Sequence, residues 1–453
     1  MAASRPDPER APAVATVDDR APHGEPESAV RRAPFSDNPQ VGARGQRTQQ
    51  RILDAALEVF GERGYHRSGI AHITEVAGCS RASFYQYFSS KEDVFRHLTG
   101  QVARQLSAST EALNPVTPDL AGWHSVRAWV GRHADIYERY EAVFRAFQAA
   151  VEADEVVGPG AMRTVERNVA RFQSKVSATP LPPRKLDPVV RLLLECLTRV
   201  HETALVLRRA VPAAYPDDRV EDALADVVHR SLFGVDADVN VHPPAAERPP
   251  SLGFGPIMQE ALDRHDTGTG LTAAGTRTLT ALESAGRDVF VSRGYHGTRI
   301  DDVVAAAGVS HGAFYRYFQG KDHLAHVLAV RAIRNVSTAL TAIPPADHDG
   351  SPDRAALRRW LRRYNASQAS ETAMIRVWVD ASYDDPTLGP DSAAALDWGR
   401  RLLARFLRPR DFGDVDTEAV VMVALLSAFG SSERGADIVD AAAHVIERGL
   451  LGR

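Results

Sequence analysis

The chain has 453 residues, 44% of them hydrophobic, and a formal net charge of −4. That length exceeds one ordinary domain, offers no apolar run of the ~20 residues a membrane-crossing helix needs, and advertises no overall attraction to polyanions, although a basic patch can sit on an acidic body. Two cysteines, Cys79 and Cys196, cannot build a disulfide framework and read as reduced thiols of a cytoplasmic protein.

Residues 1–45 are rich in Pro, Ala, Arg, Asp and Glu without apolar periodicity, which predicts a disordered arm and no secretory leader. Arg31, Arg32, Arg44 and Arg47 would let such an arm touch a nucleic-acid backbone or minor groove. Over residues 48–63, Ile52, Ala56 and Phe60 recur every four, with Leu53 and Leu57 beside them, as in an amphipathic helix. Gly64 stands where a left-handed C-cap is expected, and Ser68 where an N-cap is wanted for a short helix over 70–77. Gly78-Cys79-Ser80 forms a turn, and the next helix sets Phe84 and Phe88 on one buried face. Three helices with a tight glycine turn before the third make a helix-turn-helix module over 46–98.

A helical body over 99–235 is expected next, starting from a connecting helix over 90–108. Breaks fall at Gly158-Pro159-Gly160 and at Thr179-Pro180-Leu181-Pro182-Pro183. Residues 189–197 are apolar on nearly every side and need cover on both faces; with an amphipathic helix over 220–233 they are the expected interface. Residues 236–272, punctuated by Pro243-Pro244, Pro249-Pro250 and Gly268-Thr269-Gly270, read as a linker with a short helix over 258–262.

The pattern then begins again: a second helix-turn-helix module over 273–328 and a second helical body over 329–453. Leu282, Gly286 and Phe290 repeat the first stripe, Thr298 replaces Ser68, and Ser310 to Lys321 repeats Ser80 to Lys91 at a constant offset. Trp129 aligns with Trp360 and Arg145 with Arg376, while 226–234 aligns with 444–452 at a smaller offset. A longer loop around 208–218 in the first half would explain the change.

The third helix of each module carries the candidate chemistry. Its first turn is where a recognition helix meets base edges: Arg81 suits guanine, and Ala82 or Ser83 can pack on a thymine methyl. Tyr85 and Tyr87 present hydroxyls on rigid arms suited to phosphate, and Lys91 adds charge. Taken singly, Tyr-x-Tyr-Phe would be core packing; the fixed order of all these features, occurring twice, is what makes it specific. His66 and His296 have no partner at metal-ligand spacing, and no cofactor loop or nucleophile elbow occurs, so no metal, cofactor or enzyme activity is expected.

Both halves closely resemble TetR-family transcriptional regulators over about 47–98 and 277–328, through the Thr/Ser cap, Ile-Ala, Ala-Gly-x-Ser, Tyr-x-Tyr-Phe and Lys signature. Cys79 departs from the usual Val. The resemblance implies an all-α fold of two tandem TetR-like modules, each with a three-helix DNA-binding domain and an effector bundle whose last two helices form an interface. It implies phosphate contacts from Ser68, Tyr85, Tyr87 and Lys91, and base contacts from Arg81, Ala82 and Ser83. In the second half the matching positions are Thr298, Tyr315, Tyr317 and Lys321, then His311, Gly312 and Ala313. An intrachain pseudo-dimer is expected, reading an asymmetric double-stranded operator and released by a small apolar or lipid-like effector. Phe144, Phe147 and Phe172 in the first body, and Trp378, Tyr383 and Trp398 in the second, are the expected pocket lining. The alternatives are a homodimer with four readers or a protein-binding scaffold with degenerate DNA modules.

Overall fold

The computed structural model describes residues 42–153, 157–235, 239, 248–255, 259, 271–345, 353–384, 389–408, 410, 412–431 and 436–453. Among these the chain is all-α, and its only β feature is an isolated bridge between Val116 and Val176.

The first module comprises α1 (Ala43–Arg63), α2 (Ile70–Val76), α3 (Arg81–Tyr87) and the connecting α4 (Lys91–Glu111). Ile52, Ala56, Phe60, Ile73, Phe84 and Phe88 form its core, as their spacing requires. α1 begins at Ala43, so Arg44 and Arg47 lie on a helix rather than in an arm; Arg31 and Arg32 lie outside the described residues. Gly64 has the positive φ expected of it (73°), but its ψ of 152° is extended, not left-handed helical. The N-cap position of α2 is Gly69, not Ser68. Ser68 instead turns inward and donates to Gly64 O (2.7 Å) and Val59 O (3.2 Å), tying off the end of α1. Ser80 and Ser90 do cap, accepting from Ser83 N and Asp93 N.

The first body holds α5 (Leu120–Arg139), α6 (Glu141–Ala153), α7 (Val157–Lys175), α8 (Pro183–Ala210) and α9 (Asp217–Phe233). Gly158-Pro159-Gly160 does not break a helix; it forms the first turn of α7, where proline needs no intrahelical partner for its nitrogen. The expected 258–262 helix lies outside the described residues. Linker residues 248–255 dock on the second body, with Leu252 N donating to Asp397 Oδ2 (3.0 Å) and Gly255 N to Asp391 Oδ1 (2.6 Å).

The second half repeats this plan with α10 (Ala273–Gly297), α11 (Ile300–Ala307), α12 (His311–Tyr317), α13 (Lys321–Thr341), α14 (Arg354–Asp384), α15 (Gly389–Leu407), α16 (Val415–Ser431) and α17 (Ala436–His444), which runs on into a π-helical turn, Val445–Leu450. Gly294 kinks α10 at φ 67°, matching Gly64, and Gly308 adopts φ 65° where Gly78 has 59°. Thr298 repeats the Ser68 bonds, to Gly294 O and Val289 O, and the α11 cap is Arg299. Gly286 lets the connecting helix come close: a Cβ there would meet Leu324 Cδ2 at 2.8 Å. The smaller offset late in the chain has a different source from the expected loop, for α8 runs 28 residues and its counterpart α16 only 17.

The two halves pack on each other through α8 and α9 against α16 and α17. The apolar run of α8 receives its second cover there, in one continuous core that includes Val190, Leu193, Leu197, Val421, Leu425 and Ile446. A buried charge cluster pins the seam: Arg230 donates to Glu418 Oε2 (2.6 Å) and to Gly449 O (2.7 Å), and Arg410 shares Glu418 (2.6 Å). Gly449 is glycine because Ser231 and Val227 O close on it, the latter 2.9 Å from where a Cβ would stand. Ser231 and Gly449 are the same position of the two copies. The stacked rings of His66 and His296 bring another pair of counterparts together, 5.5 Å apart.

Candidate DNA-binding surfaces and the cavities behind them

On α3, the buried Phe84 and Phe88 turn the opposite face to solvent. Arg81, Ala82 and Tyr85 are exposed there, Tyr85 to 43%, and Ser83 is half-buried. α12 repeats the arrangement with His311, Gly312 and Tyr315 exposed, Tyr315 to 57%, and Ala313 half-buried. The two tyrosines of each pair separate. Tyr87 is 8% exposed and packs into the module core, and Tyr317 donates its hydroxyl to Gly275 O (3.2 Å), joining α12 to the start of α10. Ser68 and Thr298 are buried with their hydroxyls on carbonyls, so their side chains serve the loop between the first and second helices.

The lysines do something that spacing did not reveal. Lys91 Nζ donates to Tyr65 O (2.9 Å) and lies 4.3 Å from the centre of the Tyr65 ring; Lys321 repeats both contacts on Tyr295, at 3.0 and 4.4 Å. Each ammonium bolts the start of the connecting helix to the end of the first helix, and burial pulls both pKa values below the ordinary lysine value. The repeated Gly-Tyr-His was the available signal.

The two surfaces differ in charge. His311 Nε2 faces Asp301 Oδ1 at 3.1 Å, and Asp302 pairs with Arg293 (2.7 Å). The first module carries Ala71 and His72 at those two positions. The second module is therefore the more acidic one beside the first turn of its third helix.

Three cavities lie behind these surfaces. The first, about 400 Å³, opens in the first body and is lined by Phe144 and Phe147 as expected. Phe172 does not line it and packs instead on Trp129, 4.9 Å between ring centres. Trp129, His133 and Asn168 line it too and were missed, although His133 and Tyr137 lie four apart on one face of α5. The second, about 110 Å³, lies between the second body and α8, which closes it with Arg199, Thr203 and Val206, and is lined by Trp398. Trp378 is fully buried among Ala329, Val330 and Ile333, and the Tyr383 side chain lies outside the described residues. The third, about 80 Å³, lies between the two DNA-binding modules beside His66 and His296. Arg376 lines all three, and its counterpart Arg145 lines the first and third.

Comparison with known proteins assigns both modules alike. Residues 52–98 and 283–328 match the family model described as bacterial regulatory proteins, tetR family. The chain is 35% identical over 71 residues to the HTH-type transcriptional regulator YdgC of Bacillus subtilis (strain 168), which is 16% of this chain and 36% of that protein. It is 39% identical over 59 residues to the fatty acid metabolism regulator protein of the same organism, 12% of this chain and 30% of that one. To the HTH-type transcriptional repressor AcnR of Corynebacterium glutamicum it is 25% identical over 163 residues, 34% of this chain and 82% of the relative. The chain spans about a third of the length of the first of these relatives. Among the described residues no helix is long and apolar enough to cross a membrane.

Proposed function

Since the chain belongs to the TetR family and carries its DNA-binding module twice in tandem, we propose that it is a sequence-specific transcriptional repressor that reads an asymmetric operator as a single chain. The observation that carries this reading is the pattern of agreement between α3 and α12. They agree where phosphate is met, at Tyr85 and Tyr315, and differ where bases are met, Arg81-Ala82-Ser83 against His311-Gly312-Ala313. In homodimers two identical helices sit about one DNA turn, roughly 34–36 Å, apart on a palindrome. Here the surface that would recruit a second copy, α8 with α9, is already covered by α16 with α17.

Release follows by a population shift: an apolar ligand that favours a spread arrangement of the modules misaligns the readers and weakens operator binding. Arg376, common to all three cavities, gives such a ligand a route from the bundle to the seam between the modules. Capture of bound genomic fragments followed by footprinting tests the reading. Two unlike half-sites are expected, and a perfect palindrome overturns it. Absence of sequence-specific DNA capture by the unaltered chain would favour a scaffold with degenerate modules. Light scattering of a 2:1 protein–DNA complex would favour a homodimer with four readers.

A further inference from the structure

The first-body cavity is built for one chemical class of ligand. Its volume of about 400 Å³ falls in the ordinary range for small-molecule sites, ~300–1,000 Å³, whereas the second cavity, about 110 Å³, falls well below it. Trp129, Tyr137, Phe144 and Phe147 form an aromatic part of its wall, Tyr137 and Phe144 stacked at 5.0 Å, alongside a polar part that holds the charged Arg199 and Glu202. Two polar side chains that line it are deeply buried and incompletely satisfied. His133 is 5% exposed and Asn168 7%, and neither His133 Nδ1 nor Asn168 Oδ1 has a hydrogen-bond partner. Leaving such atoms unmet costs about 1–3 kcal/mol each, which a native site tolerates where a ligand completes them.

The demands of the two atoms define the ligand head. Asn168 Oδ1 needs a donor. His133 is held neutral by burial, and its Nε2 lies 3.4 Å from the Thr198 hydroxyl. If Thr198 donates to Nε2, the pocket sees Nδ1–H as a donor; in the other tautomer it sees Nδ1 as an acceptor. A hydroxyl has one proton and two lone pairs, so it donates to Asn168 Oδ1 and accepts from Nδ1–H, the tautomer that a Thr198 hydroxyl donating to Nε2 selects. A carboxylate only accepts and leaves Asn168 Oδ1 unmet, and of the arginines that line the cavity Arg145 and Arg199 are already paired with Glu141 and Glu202.

We propose that the first body alone binds an uncharged, largely apolar alcohol, one per chain, with its hydroxyl at His133 and Asn168 and its apolar body against the aromatic wall. This rests on, and sharpens, the ligand-release reading above. The test uses the full DNA-free chain titrated calorimetrically with 1-decanol, decyl methyl ether and decanoate. 1-Decanol is expected to bind at one site per chain. The ether, which accepts but cannot donate, should bind about tenfold more weakly, the worth of one hydrogen bond to a buried group, and decanoate more weakly still. His133→Phe and Asn168→Leu should each weaken 1-decanol by a similar factor. The ligand series on the unaltered protein decides the matter even where a variant fails to fold. Equal binding of the three probes, tighter binding of decanoate, two sites per chain, or no binding overturns the proposal. Binding of 1-decanol that leaves the operator complex intact in a gel shift overturns the release step and leaves the site standing.

Discussion

Tyr85 and Tyr315 stand on solvent-facing sides of helices whose other sides are buried phenylalanines. Losing either hydroxyl should leave folding intact. Tyr85→Phe and Tyr315→Phe are each expected to weaken operator binding by about 1 kcal/mol, the worth of one hydrogen bond, and by the same factor on any sequence. Fluorescence anisotropy against specific and unrelated duplexes checks this; a loss confined to the specific duplex would reassign the tyrosine to base reading. Burial makes His201 a different kind of residue. Its folded pKa is pushed down to about 3, chiefly by desolvation, and His133 is pushed down for the same reason. In the unfolded chain both titrate near the ordinary value of ~6.5. Below that pH the unfolded state takes up protons that the folded state refuses, so stability present above about 6.5 is lost as pH falls, by up to about 1.4 kcal/mol per unit for each such group. Urea midpoints between pH 7 and 5 should fall steeply, and His201→Phe should make the slope shallower; an unchanged slope would mean that water reaches the ring.

At the scale of elements, the seam between α8, α9, α16 and α17 carries the greatest stake. Arg230 and Glu418 are both fully buried there, so Arg230→Ala strands a carboxylate with only Arg410 left to meet it. A loss of about 3 kcal/mol is expected, read from the denaturant midpoint. Gly449→Ala drives a methyl into Ser231 and Val227 O and should part the same helices, with a loss of similar size. If either variant unfolds at the wild-type midpoint, the two halves do not depend on this contact. The module turns are less demanding: a Cβ at Gly78 or Gly308 meets open space, and only its positive φ resists substitution.

At the scale of the whole molecule, the proposed reading by two unlike helices in one chain would make operator symmetry a property that can be edited. Replacing the second reader's base-facing turn by the first's, through His311→Arg, Gly312→Ala and Ala313→Ser, should turn preference towards a palindrome. The added methyl at position 312 has room, its nearest neighbour being Ser310 Oγ at 3.9 Å. Selection from a random duplex library reads the outcome. An unchanged asymmetric site would place specificity outside these three residues, for instance in Asp301 and its pairing with His311.

The sequence by itself determined the helices, their order and their duplication, because apolar residues every three or four, glycine turns and serine caps act over a few residues. It also marked the outward face of each recognition helix, since Phe84 and Phe88 leave only one side for Arg81 and Tyr85. Tertiary structure alone decided what distant segments do to one another. Lys91 turned to Tyr65, Ser68 turned inward instead of capping, Phe172 went to Trp129, and His133 and Asn168 were left facing a cavity. Those outcomes depend on which surfaces close together across dozens or hundreds of residues, where short-range periodicity carries no information. The meeting of His66 with His296, and of Ser231 with Gly449, needed both: a duplication written in the chain, and contacts that exist only once the two copies have packed.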